Sequence, residues 1–288
     1  MKNEQIEILS PMIDIIFKLL MGTENSKEIL KDFLTAVLNL SSEEYEDITI
    51  SNPFLLQEYK EDKLGVLDVK LKLKSGKILN IEVQINPMPF MESRILFYVS
   101  KLITEQIGES DQYDKIKKVI SIVITGHSMI EQSENYHHHF ELYDKENEIL
   151  LTDALEIHTL EVPKARELGE NGRHSDLLDW MKFFDVKTEV ELDMLSTKSP
   201  EMRRATSRLK ELSADEKARQ LYEARLKEQR DNAAREKGAR EEGKVEGESS
   251  KAKSIAINAL KMNIPIDDIA MLTGLTHEEI LRLQPADS

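Results

Sequence analysis

The sequence predicts an α/β protein: a mixed β-sheet flanked by helices, followed by a helical C-terminal extension. Three features carry that prediction. Around Ser75-Gly76, Leu67, Val69, Leu71 and Leu73 and then Leu79, Ile81, Val83 and Ile85 alternate with polar side chains, the period-two pattern of two hairpin strands. Beyond Pro87 and Pro89, Ile95, Leu96, Val99, Leu102 and Ile103 recur at helical spacing, predicting a helix from about Met91 to Ile107 with Gly108 as its stop. Val119 to Ile124 is then almost unbroken apolar sequence, as in a strand buried on both faces. Strand, helix and buried strand in that order imply a right-handed parallel crossover, and a hairpin joined to a crossover makes the sheet mixed.

The other elements follow in chain order. Pro11 is tolerated in a first helical turn, and Asn25-Ser26, with Glu28 three residues after Asn25, is placed to cap a second helix whose apolar stripe is Ile29, Leu30, Phe33, Leu34, Val37 and Leu38. ITIS after Asp47, and FLLQEY after Asn52-Pro53, read as extended. FELYD and LEIHTLEV, between residues 140 and 162, predict two further strand pieces at the far edge of the sheet, and LLDWMKFF around the single Trp180 predicts a helix closing the core. From Glu201 to about Glu248, Glu, Lys, Arg, Ala and Gln dominate, the composition of a solvated helix or helical linker that GKVEGESSK then loosens. In the tail, Pro265 and Asp267 mark one helix start, Gly274 a stop, and Thr276 with Glu279 a capping box. The expected division is a core at 1–199, a charged helical linker at 200–253 and a small helical module at 254–288.

Composition narrows the chemistry. No cysteine is present, which removes disulfides, thiolate zinc sites and cysteine nucleophiles and fits a reducing cytosol. MKNEQIEILS has no apolar run, and nowhere do eighteen apolar residues stand together, so a cytoplasmic protein with no membrane role is expected. No GxxxxGK[ST] or GxGxxG loop and no serine nucleophile elbow occurs, which argues against ATP hydrolysis, dinucleotide chemistry and serine hydrolysis. The net charge of −15 opposes a polyanionic partner, yet residues 200–253 hold 15 Lys and Arg against 12 Asp and Glu, so charge is unevenly distributed. YHHHF has no spaced partner set such as HExxH and predicts a loop, and His158 and His174 have no visible partners.

The hairpin holds the candidate chemistry. A three-residue Lys74-Ser75-Gly76 loop sets Asp68 opposite Glu82, and a register one step on sets Asp68 opposite Gln84. Either way two carboxylates and an amide converge. The simplest alternative is a solvated face of alternating charge, neutralised by nearby lysines, among them Lys70 on the same face.

With Asp68 and the Glu82-Val83-Gln84 triplet on adjacent strands in this element order, the sequence resembles the PD-(D/E)xK nuclease superfamily and, within it, the recombination-promoting nuclease and transposase family. The resemblance covers residues 11 to 125 in detail: D-x-x-F-K at Asp14, Phe17 and Lys18, LDVK around Asp68, IEVQ around Glu82, then Arg94, Tyr98, Gln106, Gly108 and Tyr113. The tail IxxIAMLTGLTHEEI also resembles that family's C-terminal end. The resemblance implies a restriction-endonuclease-like core and Mg²⁺-dependent (or Mn²⁺-dependent) endonucleolytic hydrolysis of DNA, in recombination or defence against foreign DNA. Asp68, Glu82 and the Val83 carbonyl would be the oxygen ligands that such an ion prefers. Gln84 stands where the superfamily usually has a lysine, so it would orient water or phosphate without supplying charge, and Lys70 is a candidate to replace that charge. Asp14 and Lys18 would sit at the edge of the site, or form an ordinary i, i+4 pair. Arg94 and Tyr98 would support the site or meet a phosphate. Gln84 and the net charge favour an alternative, a nuclease-derived DNA-associated binding or regulatory module with little catalysis. No D…D…E arrangement supports ribonuclease-H-like transposition chemistry. The C-terminal segment resembles a small helix-turn-helix, but the Glu278-Glu279 pair at its second helix favours docking or homo-oligomer formation over DNA reading.

Overall fold

The computed structural model describes residues 7–39, 42–45, 47–50, 69–170 and 175–283. Its sheet has six strands, β1 (Ile48–Ile50), β2 (Val69–Leu73), β3 (Ile78–Gln84), β4 (Val119–Thr125), β5 (His137–Asp144) and β6 (Ile149–Glu161), in the order β1-β2-β3-β4-β6-β5. β1, β2 and β3 are antiparallel neighbours, β3, β4 and β6 run parallel, and β5 returns antiparallel on β6. The predicted mixed sheet is therefore present, with the hairpin and the crossover where the two sequence patterns put them. Val69 pairs with Ile81 and Leu71 with Leu79, and Leu73 donates to the Lys77 carbonyl at 2.9 Å. The loop is Lys74-Ser75-Gly76, and Gly76 has φ of 87°, the left-handed turn position that glycine adopts without strain. FLLQEY lies outside the described residues.

Ten helices are described: α1 (Asp14–Met21), α2 (Lys27–Leu38), α3 (Met91–Thr104), α4 (Val162–Glu170), α5 (Asp176–Phe184), α6 (Glu189–Ser196), α7 (Pro200–Ala214), α8 (Glu216–Lys261), α9 (Ile266–Thr273) and α10 (His277–Leu281). α3 covers one sheet face, burying Met91, Ile95, Val99 and Leu102 against Val119 and Val123. On the other side, α1, α2, α5 and α7 pack on one another, and α1 also meets β3. Phe33 is the hub of that layer, with Trp180 and Phe184 rings edge-on to it, each at 5.4 Å. Trp180 closes the core as expected, at 2 % exposure.

Several expectations change. Asn25 lies in a 3₁₀ turn and the Ser26 side chain makes no cap bond, so α2 starts from that turn rather than from a side-chain cap. α3 ends at Thr104, before Gly108. YHHHF opens strand β5 rather than a loop, and His158 has a partner, since its Nδ1 lies 2.9 Å from His137 Nε2. Burial, reinforced by the charges of His139 and His137, holds His158 down to about 4. His174 lies outside the described residues.

The chain divides into two compact units, one through Arg225 and one from Leu226. The first runs further than the expected core of 1–199 because α7 belongs to it. Ser199 caps α7 and Pro200 opens it, and Met202, Ala205, Leu209 and Leu212 are buried. Ser213 Oγ accepts from the Leu9 amide at 3.1 Å, and Arg204 pairs with Asp32 at 2.8 Å. In the second unit, α8 continues without a break through Gly243 and Gly247, where the sequence predicted loosening. Ala256 and Ala259 of α8, Ile269 of α9 and Ile280 of α10 make a small core there. Gly274 is the left-handed stop of α9, and Thr276 with Glu279 forms the predicted capping box of α10. No helix among the described residues is long and apolar enough to cross a membrane.

Candidate active site

β3 enters the sheet centre with Glu82, Val83 and Gln84 at its C-terminal end, where Gln84 lies beside Thr125 of β4 and Thr125 beside Glu161 of β6. The carboxyl ends of parallel strands are the usual ligand side of such sheets. Strand alternation sends the Val83 side chain to the face opposite Glu82, into the core at 8 % exposure, so what Val83 can offer a ligand is its backbone carbonyl.

Glu82 is buried, also at 8 % exposure, which removes the solvated-face alternative for this part of the hairpin. Asn80, on the same strand face, is buried at 1 % and donates from Nδ2 to Glu82 Oε1 at 3.1 Å, while its own Oδ1 is buried with no hydrogen-bond partner among the described residues. Burial pushes the Glu82 carboxyl above its usual range. The Asn80 hydrogen bond and then the charges of Arg94 and Lys18 offset this only in part. A carboxylate in this setting costs folding free energy until further positive charge reaches it.

The helices bring that charge partway. Arg94, in the first turns of α3, lies with its guanidinium carbon 5.1 Å from the centre of the Tyr98 ring, and its Nε is buried without a hydrogen-bond partner among the described residues. The helical spacing that put Arg94 and Tyr98 on one face is thus seen as a cation–π contact. Lys18, on α1, is close enough to act on the Glu82 charge. Asp14 is held by Arg225 of α8, at 2.9 Å from Nε and 2.8 Å from Nη2. Lys70 lies across from Asn80, and its Nζ pairs with Glu105 at the end of α3, at 3.0 Å. Gln84 donates from Nε2 to the Asn86 carbonyl at 2.9 Å, and its own carbonyl accepts from the Gly126 amide at 2.9 Å. Asp68 lies outside the described residues.

The structure therefore brings Glu82, Lys18 and Arg94 into electrostatic contact, with Gln84 and the Val83 carbonyl on the same strand end. Asn80 was missed as a site residue, although the period-two pattern already put it on the face of Glu82. Arg225 and Glu105 were also missed. Both reach their partners through tertiary packing, Arg225 across more than two hundred residues, and no local signal marks them. The donor set suits a hard divalent cation: a buried carboxylate that lacks full charge compensation, a backbone carbonyl, and the absence of any thiolate in the sequence.

No curated protein and no solved structure that was compared matches the chain. The family model for PD-(D/E)XK nuclease family transposases matches residues 11–239, which include every site residue described above. With that span, the mixed sheet and the Glu82 strand end in agreement, the chain belongs to the PD-(D/E)XK nuclease family transposases.

Proposed function

We propose that the protein is a divalent-metal-dependent DNA endonuclease whose centre is the Glu82 end of β3. The single observation that carries this reading is the buried Glu82 carboxylate, raised by desolvation and only partly compensated by Asn80, Arg94 and Lys18. Asp68, Glu82 and the Val83 carbonyl would hold Mg²⁺ or Mn²⁺. When bound, such an ion supplies Lewis-acid polarisation of a phosphate and activation of water at neutral pH.

The chain's own groups do the rest. Glu82 fixes the position of positive charge at the end of β3, and Asn80 fixes the rotamer of Glu82. Gln84 carries a donor and an acceptor but no charge, so it orients water or a phosphate oxygen and cannot act as a base near neutral pH. Arg94, whose Nε has no hydrogen-bond partner among the described residues, has donor capacity for a phosphate oxygen. Lys18 adds a second positive charge. Tyr98 and Asp14 are supporting residues, the first beneath Arg94 and the second anchoring α1, which bears Lys18, to Arg225. Lys70 pairs with Glu105 and is a further cation on the Asn80 face of the hairpin. In this reading the core binds and cuts DNA, and the C-terminal helical region makes a homo-oligomer.

The test is incubation of the purified chain with supercoiled plasmid in Mg²⁺, in Mn²⁺ and in EDTA, beside Asp68→Ala and Glu82→Ala variants shown by circular dichroism to be folded. Metal-dependent nicking that both substitutions abolish is the expected result. Cleavage that survives both substitutions would take the Glu82 centre out of the reaction, and no cleavage with any divalent ion would replace the nuclease by a DNA-associated binding module.

A further inference from the structure

The β5–β6 hairpin carries a second set of metal-ligating side chains, on the sheet face opposite Glu82. Across the sheet, Glu82 lies beside Val123, Val123 beside Thr159 and Thr159 beside His138, so these four share one face. His158 and His139 each stand one residue away from that row and pair with each other across β5 and β6. Strand alternation turns both to the other face, together with Glu156 two residues before His158.

The three side chains converge. His139 Nε2 lies 3.9 Å from Glu156 Oε1, and His158 Nε2 lies 3.7 Å from Glu156 Oε2. One ligand atom from each residue falls within 4.8 Å of the other two. Bonds of about 2.0–2.2 Å to a tetrahedral ion require donors roughly 3.3–3.6 Å apart, so the three donors must draw closer and the stacked His139 and His158 rings must tilt for both lone pairs to meet one ion. Lys118 pairs with Glu156 Oε1, which leaves Oε2, the oxygen facing His158, for another cation.

An independent observation points to a ligand. His158 is only 4 % exposed, and its Nε2 is buried with no hydrogen-bond partner among the described residues. Its Nδ1 is engaged with His137 Nε2 at 2.9 Å, the kind of hydrogen bond that orients a ligating imidazole. Nε2 faces a carboxylate oxygen at 3.7 Å, and an ion bound between them takes the Nε2 lone pair and releases to solvent any proton that nitrogen carries. The His139 and His158 rings are stacked, with centroids 4.4 Å apart and planes within 10°, a contact that disfavours protonating both. His139 keeps 43 % of its side chain exposed, so solvent reaches the cluster and can fill a fourth position.

We propose that His139, Glu156 and His158 form a transition-metal site for an ion of the Zn²⁺ class, which fastens the edge strand β5 to β6 and is separate from the Glu82 centre. Two imidazoles and one carboxylate suit Zn²⁺, Ni²⁺ or Cu²⁺, whereas Mg²⁺ takes all-oxygen sites. The two centres therefore differ in donor type as well as in sheet face.

The test is calorimetric titration of the full-length chain, stripped with EDTA and dialysed, with ZnCl₂ and separately with MgCl₂. One equivalent of Zn²⁺ is expected to bind, with affinity reduced at least tenfold in His139→Ala and in His158→Gln and retained in Glu82→Gln. His139 is exposed, so its replacement leaves the fold intact and keeps the result readable if His158→Gln unfolds. Co²⁺ provides a second readout, the visible absorption of a four-coordinate ion, which His139→Ala should abolish. Absence of Zn²⁺ binding, binding unchanged in His139→Ala, or binding lost only in Glu82→Gln would each overturn the proposal. None of these results depends on DNA cleavage.

Discussion

Replacing Glu82 by glutamine should stabilise the metal-free protein while abolishing its response to divalent cations. The carboxylate is 8 % exposed and receives a hydrogen bond from Asn80 at 3.1 Å, and burial is the largest influence on its pKa. Glutamine keeps the volume and the acceptor for Asn80, and its amide gains a partner in the orphaned Asn80 Oδ1. What disappears is the cost of burying charge. The gain at pH 8 in EDTA should be on the order of 1–3 kcal/mol, the range for a poorly satisfied buried polar group. At about 2–4 °C per kcal/mol for a unit of this size, the midpoint rises by several degrees. The pH dependence has a definite sign. Because the folded carboxyl is raised above its ordinary value of 4.5, the folded state binds more protons than the unfolded one, and the wild-type protein loses stability as pH rises from 4.5 through the raised value. The two melting curves should therefore coincide below pH 4.5, diverge above it and stay apart at higher pH. Adding Mg²⁺ at ten times its Kd should return roughly 1.4 kcal/mol to the wild type and nothing to Glu82→Gln. Differential scanning fluorimetry from pH 4 to 8, with EDTA or Mg²⁺, measures both effects. Parallel curves at all pH values, or a less stable variant at pH 8, would refute the reasoning and show that Arg94, Lys18 and Asn80 compensate the charge fully.

Two other perturbations test the frame around the site and the assembly. A Cβ at Gly126 would stand 3.1 Å from the backbone of Ile85, so Gly126→Ala should cost about 1–3 kcal/mol by overpacking and displace the Gln84 end of β3, lowering plasmid nicking more than the melting point alone explains; wild-type values for both would show that the strand ends can separate freely. In the C-terminal unit Met271 and Leu272 are 87 % and 68 % exposed; on the proposal that α9 carries a homo-oligomer contact, replacing both by glutamate should lower the mass measured by light scattering to that of a monomer, and an unchanged mass would refute that contact.

What could be read from the sequence was what depends on local spacing. The alternation from Val69 to Val83 places both hairpin strands, the apolar run at Val119 places the central strand, and Thr276 with Glu279 places α10. The burial of Glu82 could not be read this way. Asn80, Glu82 and Gln84 have the look of a solvated face, and tertiary packing on that side of the sheet, where Ile95 and Val99 of α3 meet Val123, is what spacing alone does not reveal. α7 was obscured for a related reason. Met202, Leu209 and Leu212 do recur at helical spacing behind a Ser199-Pro200 start, but the charged residues between them give the window the average composition of a linker. YHHHF shows no metal-ligand spacing by itself because His158 and Glu156 stand on the neighbouring strand, so the cluster exists only once β5 is paired with β6.

Gln84 and the acidic composition were the two features that weighed against a catalytic reading, and the geometry alters the weight of each. The positive charge missing at position 84 has counterparts on two different helices, Lys18 on α1 and Arg94 on α3, both near enough to act on Glu82. A lysine on β3 would be a third cation beside a single described carboxylate. A neutral amide leaves the electrostatic balance of the site to these two residues and to whatever cation the carboxylates recruit. The net charge of −15 is likewise a property of the whole chain and not of the end of β3. A phosphate approaching the end of β3 responds to the local field, because charges further away than about 8–10 Å are screened at physiological ionic strength. The acidic total is thus compatible with a polyanionic substrate as long as Lys18, Arg94 and a bound divalent ion set the sign of the field where Glu82 stands.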